Sequence, residues 1–333
     1  MKKYLVIFAV LFTVIMSSCS NDDIPVSQST TFTINPTSVI DPLLDCEVIT
    51  GELETLPSGF GLHVQLLIYN SNGDLVQHEE ETLPNYTSIM KREFYLPSGD
   101  YRALAITDVQ SPNVNYWDFE DMDKLSGATI KSTNYLGYQW KILGLQSGHF
   151  TVEDGQAKDF RMTPTAYGAL FTVAYQNIHT YSDVVNLGLA GNRSADKMVF
   201  NSVGNPTLTI ESSNNEFNWW SNYITVADES DSFVYRYSFQ LPISKYSLEF
   251  EAETSDSYIP LSNPWTIDIK AGDGYIFLIN LDDDGQITSD ASQVVGSRSN
   301  SGLPLLEDIR SNASPNSVNL NAVQSIELHN YKR

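Results

Sequence analysis

Two clusters in this 333-residue chain combine residue types and spacing that could do chemistry. In the first, Asn280, Asp282, Asp284 and Gly285 stand at positions 1, 3, 5 and 6 of an EF-hand-like loop, with Ile287 at the customary apolar place. Calcium takes about six to eight oxygen ligands, and alternating carboxylates ahead of a glycine turn supply several of them. The bidentate glutamate that should close the loop is missing, because Ala291 stands there. The residues before Asn280 alternate as a strand does, not as a helix. An exposed Asp-Gly hairpin turn explains the same residues, so Asn280, Asp282 and Asp284 form a weak metal candidate and no metal is assigned. The second cluster is Trp219 and Trp220, within the stretch from Asn214 to Tyr223. Indole faces stack on sugar rings and neighbouring Asn amides bind hydroxyls, which makes the pair a weak glycan-contact candidate. Burial where two sheets meet is the plainer account of these tryptophans.

Catalytic patterns are missing. The five histidines, His63, His78, His149, His179 and His329, include no two at the spacing of a helical zinc motif and none beside a cysteine pair. There is no G-x-S-x-G elbow and no glycine-rich phosphate loop. Ser, His and Asp are plentiful, but nothing nominates a triad. The expectation is a protein that is not an enzyme, with no catalytic residue and no cofactor.

One cysteine does carry a chemical signal. Lys2 and Lys3 precede an apolar run from Tyr4 to Met16, broken only by Thr13, and Ser17 and Ser18 lead into Cys19. A basic head, an apolar stretch too short to span a bilayer and small residues before a cut describe a secretory signal. A cysteine at the cut becomes the first residue of the mature chain and can carry lipid. Met16-Ser17-Ser18-Cys19 resembles the bacterial lipoprotein signal, with Met where Leu is usual. The following Ser20-Asn21-Asp22-Asp23 resembles the acidic tag that sends Bacteroidetes lipoproteins to the outer face of the outer membrane. An ordinary cleaved signal with a chance cysteine is the alternative.

Lipidation at Cys19 leaves Cys46 as the only free thiol, so no intrachain disulfide can form and apolar burial must hold the fold. No later run is long enough for a transmembrane helix, which leaves acyl chains such as palmitate as the membrane attachment. The 41 Asp and Glu against 19 Lys and Arg disfavour nucleic acid and anionic lipid as partners, because phosphate binding needs clustered cations. No Lys or Arg occurs between Lys3 and Lys91, so trypsin-like proteases have no site in that stretch.

The elements that must position these residues read as strands. Leu62, Val64, Leu66 and Ile68 share one face of a run ending at Asn70, and Ser71-Asn72-Gly73-Asp74 supplies a hairpin turn. Further strands are expected over 91–96, 101–107, 138–143, 157–162, 170–176, 184–189 and 207–210. Gln110 to Asn134 reads as a long crossover or surface loop. Phe233, Tyr235, Tyr237, Phe239 and Leu241 form an aromatic stripe of core type. Tyr246, Leu248, Phe250 and Ala252 alternate with Ser247, Glu249, Glu251 and Glu253, a strand with one wet face. Trp265 to Ile269 and Tyr275 to Leu281 follow. No window shows sustained helical periodicity, so the fold class is all-β, with two antiparallel β-sandwiches in tandem. The expected division is a signal peptide over 1–18, a tether over 19–30, an N-terminal β-sandwich over 31–163, a C-terminal β-sandwich over 164–290, and a polar tail over 291–333 that holds one or two strands or is disordered.

The lipoprotein start, Leu66-Leu67-Ile68-Tyr69-Asn70 before an Asn-Gly hairpin, Leu96-Pro97-Ser98-Gly99-Asp100-Tyr101 entering a strand, a second β domain opening near Ala169, and Tyr275 to Leu281 closing it together resemble the fimbrillin-like surface proteins of Bacteroidetes, particularly the anchor and minor-subunit group. The resemblance covers roughly residues 30 to 290. It implies two transthyretin-like sandwiches and a structural role in adhesion, as a subunit of a surface fibre or its lipid-held base. It also implies partners: the outer membrane through lipid on Cys19, other fimbrial subunits by strand addition, and a host or bacterial surface ligand. Shaft subunits of that family are cut after Arg or Lys in the N-terminal region, and the gap between Lys3 and Lys91 departs from this pattern. An anchor or accessory subunit fits the gap better. The alternative reading is a surface glycan-binding lipoprotein of a polysaccharide-uptake system, with Trp219 and Trp220 as its platform.

Overall fold

Period-2 alternation builds strands, and among the residues it describes the computed structural model has no α-helix, only strands and two short 3-10 turns, Pro36–Val39 and Val226–Asp228. The described residues are 27–39, 56, 58–133, 141–154, 156–179, 182–191, 195–209, 219–231, 233–260, 265–281, 287–295 and 324–325. The expected signal peptide, Cys19, Cys46, Asp282, Asp284 and most of the tail lie outside them.

The first half is built from β1 (Gln28–Ile34), β2 (Gly61–Asn70), β3 (Leu75–Leu83), β4 (Met90–Leu96), β5 (Gly99–Ser111), β6 (Val114–Asn115), β7 (Trp117–Glu120), β8 (Thr129–Ser132), β9 (Leu143–Val152), β10 (Lys158–Met162) and β11 (Thr165–Ala166). The β2–β3 turn forms as its residues require. Gly73 adopts φ +79°, and Asn70 Oδ1 accepts hydrogen bonds from the amides of Asn72 and Asp74 at 2.9 and 3.0 Å. One sheet runs β10-β1-β4 and the other β11-β9-β5-β2-β3, with β6 on β5. Phe32 joins them, its ring centroid 5.2 Å from Phe150 of β9 and 5.9 Å from Phe94 of β4. β1 begins at Gln28, inside the stretch read as tether. Its inward positions, Gln28, Thr30, Phe32 and Ile34, are half polar, and this hides the strand in the sequence.

The second half comprises β12 (Ala169–Gln176), β13 (Val184–Gly191), β14 (Lys197–Phe200), β15 (Pro206–Thr209), β16 (Trp219–Thr225), β17 (Phe233–Gln240), β18 (Ile243–Thr254), β19 (Tyr258–Pro260), β20 (Trp265–Ile269), β21 (Asp273–Leu281), β22 (Ile287–Val295) and β23 (Gln324–Ser325). Its sheets run β17-β12-β21-β22-β23 and β16-β13-β18-β19, with β20 on β18. The wiring repeats that of the first half. β1 lies antiparallel to β4 and parallel to β10, and β12 lies antiparallel to β17 and parallel to β21. β2 sits between β3 and β5 as β13 sits between β16 and β18. Most pairings are antiparallel; the parallel pair in each half brings its first strand beside a late one. β22 runs through residue 290, where the second sandwich was expected to end, and pairs along the whole of β21.

A third layer departs from expectation. The segment 110–134, read as a loop, folds β7 and β8 into a hairpin, and β14 and β15 join it in the order β15-β14-β8-β7. Met198 pairs with Ile130, and the Gly127 amide donates to the Phe200 carbonyl at 2.9 Å. This outer sheet lies against β2. The Tyr69 hydroxyl donates to the Met122 carbonyl at 3.0 Å, and Leu125 N–H donates to the Gly73 carbonyl at 2.9 Å. Trp117, Leu125 and Ile130 are buried as a result. Four-residue strands are too short to leave a readable period, and so the sequence conceals this layer.

The outer sheet draws β14 and β15 across the chain's midpoint, and the cores follow. One apolar cluster runs from Phe32 through Ile130 and Met198 to Phe239 and Leu241. A second gathers Phe171, Tyr175, Leu187, Tyr246 and Phe250. β12 divides between them, Leu170 and Ala174 in the first cluster and Ala169, Phe171, Val173 and Tyr175 in the second.

Candidate functional site

The backbone places the described residues among those singled out in the sequence on two different strands. Trp219 and Trp220 open β16, in register with Gly191 and Ala190 of β13. Asn280 lies near the end of β21, paired with Thr288 of β22 and Gln176 of β12. Strands therefore flank the stretch 282–286 on both sides, whereas an EF-hand is flanked by helices. Asp282, Asp284 and Cys19 fall outside the described residues. Among the described residues no group of three His, Cys, Asp or Glu is arranged to hold a metal ion.

What the fold presents outward is strand edge. Among the described residues β4 and β10 each pair with β1 alone, so the sheet β10-β1-β4 ends in an open strand on either side. β4 carries Tyr95, 65% exposed, and its Arg92 guanidinium meets the carboxylates of Glu79 at 3.5 Å and Glu81 at 3.0 Å on β3. β10 carries Lys158 and Arg161, and its half-buried Phe160 ring stacks on Phe32 at 5.3 Å. In the second half the position beside β21 that corresponds to the far side of β10 is filled by β22. The difference starts in the turn. Thr163-Pro164 carries the chain from β10 to β11 on the opposite sheet, whereas β22, the next described strand after β21, lies directly beside it. A proline two residues after the strand cannot donate to a continuing ladder.

The buried polar groups are the residues the sequence reading missed. His63, Gln65, Leu67 and Tyr69 occupy the face of β2 beneath the outer sheet, and all four are buried. His63 Nδ1 lies 2.9 Å from Asp108 Oδ1 on β5, and Nε2 lies 3.3 Å from Glu80 Oε2 on β3. Asp108 is fully buried, and burial pushes its carboxyl pKa up against the opposing pull of His63. Burial alone would lower the His63 pKa, but the hydrogen bonds and charges of Asp108 and Glu80 outweigh it and carry it above its ordinary value. Read as a sequence, His63 and Gln65 look like the wet side of an alternating strand. The one contrary signal is that Leu67 and Tyr69 continue the same face.

A similar correction applies to β18. Tyr246, Leu248, Phe250 and Ala252 are buried as expected, but so are Glu249 and Glu251 on the face expected to be wet. β18 has paired strands on both sides, which cover side chains an edge strand would expose. Burial first, then the hydrogen bond and charge of Glu251, push the Glu249 pKa up to about 7. Glu253 accepts a 2.6 Å bond from Asn186 Nδ2. Of the aromatic stripe, Phe239 and Leu241 are in the core, as expected.

No family model matches the chain, and no curated protein matches it in sequence. Solved structures do match it in fold. A candidate adhesin from Bacteroides thetaiotaomicron aligns with a TM-score of 0.50 at 10% identity, over 82% of this chain and 98% of that one. The fimbrial anchor protein Mfa2 from Porphyromonas gingivalis aligns at 0.47 and 10% identity, over 81% and 98%. The tip fimbrial protein Mfa3 from the same organism, with a C-terminal truncation, aligns at 0.47 and 12% identity, over 81% and 99%. The candidate adhesin, at 10% identity, is similar to this chain in fold.

Proposed function

We propose that this chain is a non-enzymatic, surface-exposed fimbrillin-like lipoprotein, held in the outer membrane by acyl chains on Cys19 and acting as an anchor or accessory subunit of fimbria-like assemblies in adhesion. Its two sandwiches are transthyretin-like and divide near Thr163-Pro164-Thr165, with β14 and β15 reaching back over the first. The observation that carries this reading is the repeated sandwich wiring with one position unequally filled: the far side of β21 is taken by β22, and the far side of β10 is open among the described residues. An open edge is a template for another extended strand, whose main-chain hydrogen bonds would supply affinity and whose alternate side chains would supply specificity. Subunit contact by strand addition at β10 or β4 follows. The fold shared with the Bacteroides adhesin supports the same reading.

Cell fractionation of Cys19→Ala tests the anchor. The wild-type chain is expected in the outer-membrane fraction and accessible to surface label, and the variant in the soluble fraction or the medium. A variant that stays in the membrane overturns lipid attachment at Cys19.

A further inference from the structure

We propose that His63, Asp108 and Glu80 form a proton-operated tie that holds the outer sheet, and through β14 the second half of the chain, onto the first sandwich. The hydrogen-bond inventory leads to it. Each imidazole nitrogen faces a carboxylate oxygen, Nδ1 to Asp108 at 2.9 Å and Nε2 to Glu80 at 3.3 Å. Glu80 only accepts, so both contacts are kept when the His63–Asp108 pair holds a second proton beyond the neutral ring's own; with Asp108 ionised, that state is the imidazolium, which donates from both nitrogens. The two carboxylates differ in what they lose when that proton leaves. The Glu80 side chain is 64% exposed and can turn to water. Asp108 is fully buried, and its second oxygen, Oδ2, has no partner, so the imidazolium is its compensating charge.

The surroundings decide how that loss is relieved. Asp108 faces His63 from β5, and Glu80 faces it from β3. Gln65, on β2 itself, bonds His78 Nε2 at 3.2 Å, further along the sheet. From β9 the register partner of Asp108 is the apolar Leu143. From the outer sheet the Phe119 ring meets His63 edge-on at 6.3 Å. Asp118 and Glu120 stand at the alternate positions of β7 and are exposed, and Lys131 of β8 is the register partner of Asp118. No other titratable group lies on the Phe119 face of β7. Once the proton is gone, hydration of Asp108 requires water to enter beneath Phe119, and this displaces β7. β8 and β14 are hydrogen-bonded to β7 in turn, so the hold on β14 and β15 loosens with it. The raised His63 pKa agrees with this direction: the tie is complete below the ordinary histidine range and is lost as pH rises through the folded value.

The test uses the full chain in detergent. Histidine-labelled NMR gives the His63 pKa, assigned by the signal that disappears in His63→Gln. Hydrogen exchange, corrected for intrinsic rates, then follows the Gly127 and Phe200 amides, which bond β8's approach to β14, against the β1–β4 amides as reference. The expected result is a His63 pKa above about 6.5 and a fall in outer-sheet protection through that pKa. The total fall should be about tenfold for each unit by which the pKa exceeds its value in the opened form. His63→Gln should remove the step. If that variant does not fold, the wild-type titration and exchange profile decide by themselves. A His63 pKa at or below the ordinary value, a flat exchange profile, or a loss shared equally by β1 and β4 each overturns the tie.

Discussion

Replacing Phe32 and Phe160 by alanine, one at a time, measures whether β10 is an open edge in the isolated chain. Phe32 is fully buried at the centre of the aromatic group, 5.2 Å from Phe150, 5.3 Å from Phe160 and 5.9 Å from Phe94. Removing a buried phenyl ring loses its transfer free energy and leaves a cavity, together about 3–5 kcal/mol. Phe160 stacks on the same ring but is only half-buried, because no described strand covers β10 on its far side. Its truncation removes less apolar area from cover, and the opened site can fill with water. About 1–2 kcal/mol is expected by area. Against a total stability of about 5–15 kcal/mol for a domain, both changes are measurable and neither need abolish folding of Phe160→Ala. Urea titrations of the full chain, read at constant slope, give the two midpoints. Equal costs at the two positions would mean that the far side of β10 is already covered, which refutes the open-edge argument.

Gly144 of β9 has no room for a side chain, since a Cβ there would run into Thr107 Oγ1 and Val39 Cγ2. Gly144→Ala should lower stability by about 1–3 kcal/mol in the same titration, and a neutral result would contradict the packing of β9 on β5. The raised pKa values of Glu249 and Asp108 mean that the folded chain binds more protons than the unfolded one between the ordinary carboxylate range and about pH 7 for Glu249. Stability is therefore present at low pH in that window and lost as pH rises through the folded value. The melting temperature should be higher at about pH 5.5 than at about pH 8, and Glu249→Gln should reduce the difference; a higher value at the alkaline end would contradict the sign. Replacing Trp219 and Trp220 together should leave retention on immobilised glycans unchanged. Loss of a specific retention in a folded double variant would favour glycan binding over a structural role.

Legibility in the sequence followed strand length and the company each residue keeps. β2, β5, β12 and β21 were readable because each runs for eight residues or more with apolar side chains that repeat or alternate. β9 was not, because Ser147-Gly148 sits mid-strand and thins the pattern between Leu145 and Phe150. Of the outer sheet only β15 was legible, as the strand expected over 207–210; the sheet itself was hidden because its strands are four residues long and two of them come from beyond Pro164. A contact of that range leaves no local periodicity. The buried acids failed for a different reason. Alternation assigns a residue to a face, but it does not say whether another layer covers that face, and Glu249 and Asp108 are covered. Of the metal and glycan candidates, Asn280 lies on β21 and Trp219 and Trp220 on β16, and Asp282 and Asp284 fall outside the described residues. The site that geometry does assemble, His63 with Asp108 and Glu80, joins residues on three strands with no shared motif.

The most direct measurement of the central claim is an immunoblot of sheared surface material from the native cells, run in SDS with and without boiling. Strand addition between subunits predicts a ladder of high-mass species in the unboiled sample that collapses to a single band on boiling, because interstrand backbone pairing resists the detergent until heated. A monomer band alone, recovered only from the membrane fraction and unchanged by boiling, would contradict assembly and leave a surface protein that builds no fibre.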